Sequence, residues 1–255
     1  MIVLSLLPPL IWAGSISLQI QTEVTPQKPG WLVTLKAANE GSDTAFNLRA
    51  VVRLGDGKES SQVSALPLHP GTSEAFHFRL TDEPKMAGQY PLFVAVDYTD
   101  ANRYPFTALS FNIVNHRQSQ SPAVFAVLEN VELGGGSETM RLKIRNLGAD
   151  AKRVEARLFL PNEISAKESS QNVALEPNAE VSVPFVLHRF SALPGSTYPI
   201  YAVIQYESGQ EHFCVPATGI VKVVENKNGL LRTGAAALAL VLASLWGFRA
   251  YRAAP

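Results

Sequence analysis

Between residues 16 and 225 apolar and polar positions alternate in short runs. Trp31, Val33 and Leu35 face one way, with Leu32, Thr34 and Lys36 between them. Leu142 and Ile144 alternate with Arg141, Lys143 and Arg145, Val181 and Val183 share one face, and Phe76 and Phe78 flank His77. A period of two belongs to a strand with one buried face. The runs last about five to ten residues and stop at turn signals: Asp56-Gly57, Pro70-Gly71, Gly134 to Gly136 and Ser208-Gly209. No segment in this span holds a helical period for long. About seven short strands per hundred residues predict an all-β chain built as two-sheet sandwiches.

The two ends break this pattern. Ile2 to Ala13 is almost wholly apolar, interrupted by Ser5, Pro8 and Pro9. It is too short to span a bilayer, and two prolines would break its helix. It reads as the apolar core of a signal peptide over residues 1–15, with Ala13 and Ser15 as small residues at the cleavage point. A first strand with an apolar overhang is the competing reading, and the first basic side chain is as late as Lys28. At the other end, Thr233 to Phe248 carries no charge. Residues 230–248 would reach roughly 28 Å as a helix, the thickness of a bilayer core. Arg232 can snorkel to one interface, and Trp246, Arg249, Tyr251 and Arg252 suit the other. This predicts one transmembrane helix, an ectodomain outside the cytoplasmic membrane and a cytoplasmic tail at 249–255. A sorting signal removed after export also fits such a tail, although no LPxTG-like sequence precedes it.

The middle is one pattern used twice. Asn39 and Gly41 return as Asn146 and Gly148, and Pro70 returns as Pro177, each 107 positions later. Gly88, Tyr90, Pro91, Val94, Val96 and Tyr98 return as Gly195, Tyr198, Pro199, Ala202, Ile204 and Tyr206. Agreement in order and spacing at three separated places predicts two domains, 16–114 and 123–225, joined by a linker at 115–122. Tyr90 and Tyr198 each start a strand after a glycine, where a tyrosine corner or ordinary core packing would both fit. The short reach from Val224 to the membrane segment would set the second domain near the lipid. The first would stand farther out, for an extent of about 70 Å if extended.

These landmarks resemble the CARDB and NEW3 types of bacterial and archaeal immunoglobulin-like module. The second copy departs from the first at Asn178, where the first has Gly71, and at Glu207-Ser208, where it has Thr99-Asp100. The resemblance implies tandem immunoglobulin-like sandwiches on a membrane-anchored surface protein. It brings no catalytic residue with it.

Composition narrows the function classes. The chain has 22 basic and 22 acidic side chains, and only 17% of its residues are charged. Residues 16–114 hold eight basic groups against ten acidic, and residues 123–225 nine against twelve. Neither has the basic face that nucleic acid requires. Cys214 stands alone, so no intrachain disulfide framework exists.

The pattern points to no catalytic, cofactor or metal residues. His69, His77, His116, His188 and His212 show no ligand spacing; His69 is placed in a turn and His116 in the linker, both solvated. Gly134 to Gly136 reads as a hairpin turn rather than a phosphate cradle, since no helix follows. Asp97 and Asp100 could share a calcium ion, but a turn held by aspartates is favoured. Cys214 reads as a small packed hydrophobe. In the apolar tail, Ala235, Ala239, Ala243 and Gly247 recur every four residues and define a flat face for helix packing. An alanine-rich anchor without a partner explains the same stripe. The expected function is a non-catalytic, membrane-anchored binding or scaffold protein, an accessory subunit of an envelope or transporter complex. Its partner would be another membrane protein or a second copy. The alternative is a surface carbohydrate-binding or adhesion module, with Trp31, Tyr104 and Tyr201 as the aromatics that could stack on a glycan.

Overall fold

The computed structural model describes residues 14–117 and 120–225, and there it is all-β, with sixteen strands and, among the described residues, no helix. The expected signal peptide up to residue 13, the expected transmembrane helix at 230–248 and the expected tail at 249–255 lie outside the described residues. So do Ala235, Ala239, Ala243 and Gly247.

In the first module, β1 (Leu18–Pro26), β2 (Trp31–Asn39) and β5 (Ser73–Leu80) form an antiparallel sheet in the order β1-β2-β5. The facing layer contains β3 (Phe46–Leu54), β4 (Ser60–Val63), β6 (Ala87–Thr99) and β7 (Pro105–His116), in the order β4-β3-β6-β7. The alternation of β2 works as the sequence predicts. Trp31, Val33 and Leu35 point inward with Phe76 and Phe78 against Leu48, Ala50, Val52, Leu92 and Val94.

The second module repeats the plan with more strands. β8 (Val124–Leu128), β10 (Ser137–Asn146), β12 (Ile164–Ala166) and β14 (Glu180–Arg189) form one sheet in the order β12-β14-β10-β8. Opposite lie β9 (Val131–Leu133), β11 (Lys152–Phe159), β13 (Ser170–Leu175), β15 (Thr197–Ser208) and β16 (Glu211–Val223). Their order is β13-β11-β15-β16, with β9 parallel to β16. Gly134 to Gly136 is therefore not a hairpin turn. It carries the chain from β9, which pairs with β16, across to β10 in the other sheet.

The 107-residue echo has a local cause. Asn39 is buried, and its Nδ2 donates to the carbonyls of Asp43 at 2.7 Å and Leu68 at 3.0 Å, while its Oδ1 accepts from the Gly41 amide at 3.0 Å. Asn146 does the same with Asp150 at 2.8 Å, Glu176 at 3.1 Å and Gly148 at 3.0 Å. One amide side chain ties each corner by bonding backbone groups of its own turn and of the connection packed against it. The departure at Gly71 is equally local. Gly71 has φ of 72° and Asn178 has φ of 58°, so both occupy the left-handed region, which asparagine tolerates better than most side chains. At the third landmark the Tyr90 hydroxyl donates to the Met86 carbonyl, four residues upstream, at 2.9 Å. That is the bond a tyrosine corner makes.

The two modules do not stand apart. Parallel bridges from Glu211 to Ala87 and from His212 to Gly88 join their inner sheets into one of nine strands. The extended two-body reading fails here because β6 and β15 are apolar on both faces. Leu92, Val94 and Val96 fill the first core; Phe93 and Ala95, on the other side of the same strand, face the second module. Likewise Ile200, Ala202 and Ile204 fill the second core while Tyr201 and Val203 face the first. Separating the modules would wet that second face.

Candidate functional site

The seam is apolar in the middle and polar at its ends. Phe93 stacks on Phe159 with ring centroids 4.6 Å apart, and Phe111 lies 6.1 Å from Tyr201. Val51, Ala95 and Leu109 from the first module, and Val203 and Cys214 from the second, are buried beside them. The Arg53 guanidinium covers one side, 5.6 Å from the Phe159 ring and 6.0 Å from that of Phe93. Cys214 is 1% exposed, and burial pushes its thiol up to about 12.

One end is built on β6 and β16. The His212 ring stacks on Tyr90 at 4.4 Å with an interplanar angle of 6°, and its Nδ1 donates to the Gln89 carbonyl at 2.7 Å. Because a carbonyl can only accept, that bond fixes a proton on Nδ1. Gly88 passes so close that a Cβ there would lie 2.0 Å from the His212 carbonyl oxygen. Nearby, Arg157 of β11 reaches Asp56 of the first module at 3.2 Å and Glu155 of its own strand at 2.7 Å. Burial pushes the Glu155 carboxyl up, but hydrogen bonds from Ser170 and Arg157 and the Arg157 charge together outweigh it and leave the pKa lowered.

The other end is built around Glu163, on the short connection between β11 and β12. Its backbone carbonyl accepts from the amides of Phe190, Ser191 and Ala192 at 3.0, 3.1 and 3.2 Å, which fixes the loop before β15. Its side chain crosses the seam, and Oε1 accepts from the Thr107 amide of β7 at 3.0 Å. The Oε2 atom is buried and has no partner. Burial, and then the neighbouring Asp97 carboxylate, raise the Glu163 pKa, partly offset by hydrogen bonds from Thr107. The surrounding groups bind both modules: Thr107 Oγ1 donates to Asp97 at 3.0 Å, Asn162 Nδ2 donates to the same oxygen at 2.9 Å, and the Tyr104 hydroxyl donates to the Ser191 carbonyl. Beside them opens a cavity of about 390 Å³ lined by Ile16, Tyr98, Phe106, Glu163 and Tyr198. Burial and the nearness of Glu163 raise the hydroxyl pKa of both Tyr98 and Tyr198.

The residues singled out from sequence fall in several places. Asp97 and Asp100 do not converge. Asp97 is tied to Thr107 and Asn162, whereas Asp100 accepts from the amides of Asn102 and Tyr104 at 2.8 Å each and holds its own turn. His116 is not a solvated linker residue. It ends β7, is 9% exposed and sits edge-on to Trp31 at 5.5 Å. Trp31 is 5% exposed, so it belongs to the core and presents no face to a glycan. Tyr104 and Tyr201 both lie half-buried along the seam. His69 and His77 are exposed and meet Thr44 and Thr34, and His188 is exposed as well. Among the described residues no group of three or more His, Cys, Asp or Glu could hold a metal ion.

No protein-family model matches the chain, and no curated protein matches it. Solved structures do match at low similarity. A mutant of Salmonella alpha-2-macroglobulin is 12% identical with a TM-score of 0.35, the match covering 82% of this chain and 16% of that one. Escherichia coli alpha-2-macroglobulin activated by porcine elastase is 15% identical with a TM-score of 0.34, covering 82% and 22%. The chain spans less than a quarter of the length of either neighbour. Likeness at this level carries no functional argument.

Proposed function

We propose that the chain is a non-catalytic, membrane-anchored extracytoplasmic scaffold that presents one rigid pair of immunoglobulin-like sandwiches to a membrane-protein partner. The strand order β1-β2-β5 against β4-β3-β6-β7 supports the immunoglobulin-like reading. The resemblance to CARDB and NEW3 modules belongs to the same proposal. Anchoring rests on the apolar segment 230–248, which begins only a few residues after β16 ends at Val223.

The observation that carries the binding role is the edge beside β4. Val63 is 70% exposed and Leu66 is 73% exposed, next to a four-residue edge strand. Large apolar side chains on a sheet edge suit recognition of another chain. The small-residue face at Ala235, Ala239, Ala243 and Gly247 would add a second contact within the membrane. Crosslinking in native membranes tests both contacts. The expected result is a discrete adduct that weakens in Val63→Lys/Leu66→Lys and again in Ala239→Leu/Ala243→Leu. An adduct that both pairs of substitutions leave intact would remove the proposal. So would a body that added protease cannot reach on intact spheroplasts.

A further inference from the structure

The cavity at the Glu163 end of the seam differs from an ordinary surface hollow in its charge. Its walls mix apolar side chains, Tyr98, Phe106, Tyr198, Ile16 and Leu18, with the hydroxyl groups of Ser17, Thr107, Ser196 and Thr197. Glu163 is the one acid among the lining residues, and no Lys, Arg or His lines the cavity. The same carboxyl is 1% exposed, has one amide on Oε1 and none on Oε2, and makes no ion pair among the described residues. In this state the carboxyl lacks a counter-charge and its Oε2 lacks a donor. One chemical group supplies both. An ammonium carries three donors and a positive charge, and aromatic rings favour it further through their faces.

We propose that the inter-module cavity binds a primary alkylammonium group, with Tyr98, Phe106 and Tyr198 around the alkyl chain and with Glu163 as its counter-ion once the buried carboxyl turns its unpartnered Oε2 into the cavity. Its volume accommodates a small amine or a single lysine side chain. The assignment stands apart from the scaffold reading, since it depends on neither the anchor nor the β4 edge. It also predicts a proton linkage. Burial and the facing Asp97 carboxylate raise the Glu163 pKa, and the Tyr98 and Tyr198 hydroxyls are the other titratable groups beside it. An ammonium that favours the carboxylate therefore displaces a proton at acid pH and binds more tightly as pH rises, until Glu163 is ionised without ligand.

Calorimetric titration of the full chain in mild detergent tests this with four probes: n-butylammonium and n-butanol, Nα-acetyl-lysine methylamide and its norleucine counterpart. The expected result is saturable one-to-one binding of the ammonium probes alone, with proton release at acid pH that Glu163→Gln abolishes. Loss of the charge should weaken binding at least about tenfold. If the lysine derivative binds more tightly than butylammonium, the natural ligand is a protein side chain; the reverse order identifies a free amine. Neutral probes binding equally well, or no saturation below about 10 mM, would overturn the proposal. Unchanged binding in a folded Glu163→Gln would overturn it too. Should that variant fail to fold, Thr197→Phe at the exposed rim replaces it, because the added ring blocks the mouth without entering either core. Undiminished binding there is equally fatal.

Discussion

At Asn39 and Asn146 each module solves a local problem by itself, whereas along the seam the two modules solve one problem jointly. The corners are polar and nearly identical: a buried side-chain amide donates to backbone carbonyls and accepts from one backbone amide within its own module. The seam is apolar, and its copies differ, with Phe93 and Ala95 on one side and Tyr201 and Val203 on the other. The lesson concerns cooperativity. A corner is satisfied by groups of its own module, while the seam is satisfied only when both modules meet.

The strongest way to break this distinction is to remove a corner. Asn39→Ala would remove the donor to the Asp43 and Leu68 carbonyls and the acceptor for the Gly41 amide, although the Leu68 carbonyl keeps the Ala45 amide at 3.0 Å. Three lost hydrogen bonds at about 1 kcal/mol each give an expected loss of roughly 3 kcal/mol in chemical denaturation. The unfolding should begin in the first module, with the Trp31 fluorescence change preceding signals from the second. A single shared transition at lower denaturant would mean that the seam couples the modules fully.

Attacking the seam should do the opposite. Phe93→Ala removes a half-buried ring packed on Phe159 and should lower stability by about 2–3 kcal/mol, below the value for a full core phenylalanine. Both corners should stay intact in its amide exchange pattern. The Cys214 thiol is the sensitive reporter, since burial keeps it up at about 12 in the closed form. A thiol reagent at neutral pH should label it many times faster in Phe93→Ala than in the native chain, and equal rates would show that the seam had not opened.

How much of this was legible in the sequence follows the same division. The corners were legible because each rests on a polar residue at fixed spacing, and a repeated Asn-x-Gly cannot arise from hydrophobic alternation alone. The reason for the repeat was not, since the partners Leu68 and Glu176 lie about thirty residues away. The seam had a signal that alternation conceals. Leu92 to Val96 and Ile200 to Ile204 are unbroken apolar runs, the mark of strands covered on both faces. Reading only Val94, Val96, Ala202 and Ile204 as inward positions leaves Phe93, Ala95, Tyr201 and Val203 without a task. Glu163 had no comparable signal, because only the fold brings it beside Thr107. Repeated glycines also mislead: Gly195 has open space where a side chain would start, whereas Gly88 touches the backbone of His212.

Glu163 sharpens the comparison at its polar margin, with the smallest expected change in stability at neutral pH. Burial holds its carboxyl above the ordinary glutamate range, so the docked form keeps the proton more readily than the unfolded chain. The sign follows directly. The contribution is complete below the unfolded pKa and is lost as pH rises through the higher value of the docked form. Glu163→Gln keeps the oxygen that accepts from Thr107 and removes the titration, so its stability curve should be flatter between mildly acidic and neutral pH. Thermal unfolding of both forms across that range should show the glutamine variant gaining on the native chain as pH rises, and the gain levelling off once Glu163 is ionised in the docked form. If the two curves run parallel, the carboxyl is ionised at no cost in the closed seam. Its environment would then hold a counter-charge, and the polar end of the seam would resemble the self-satisfied corners after all.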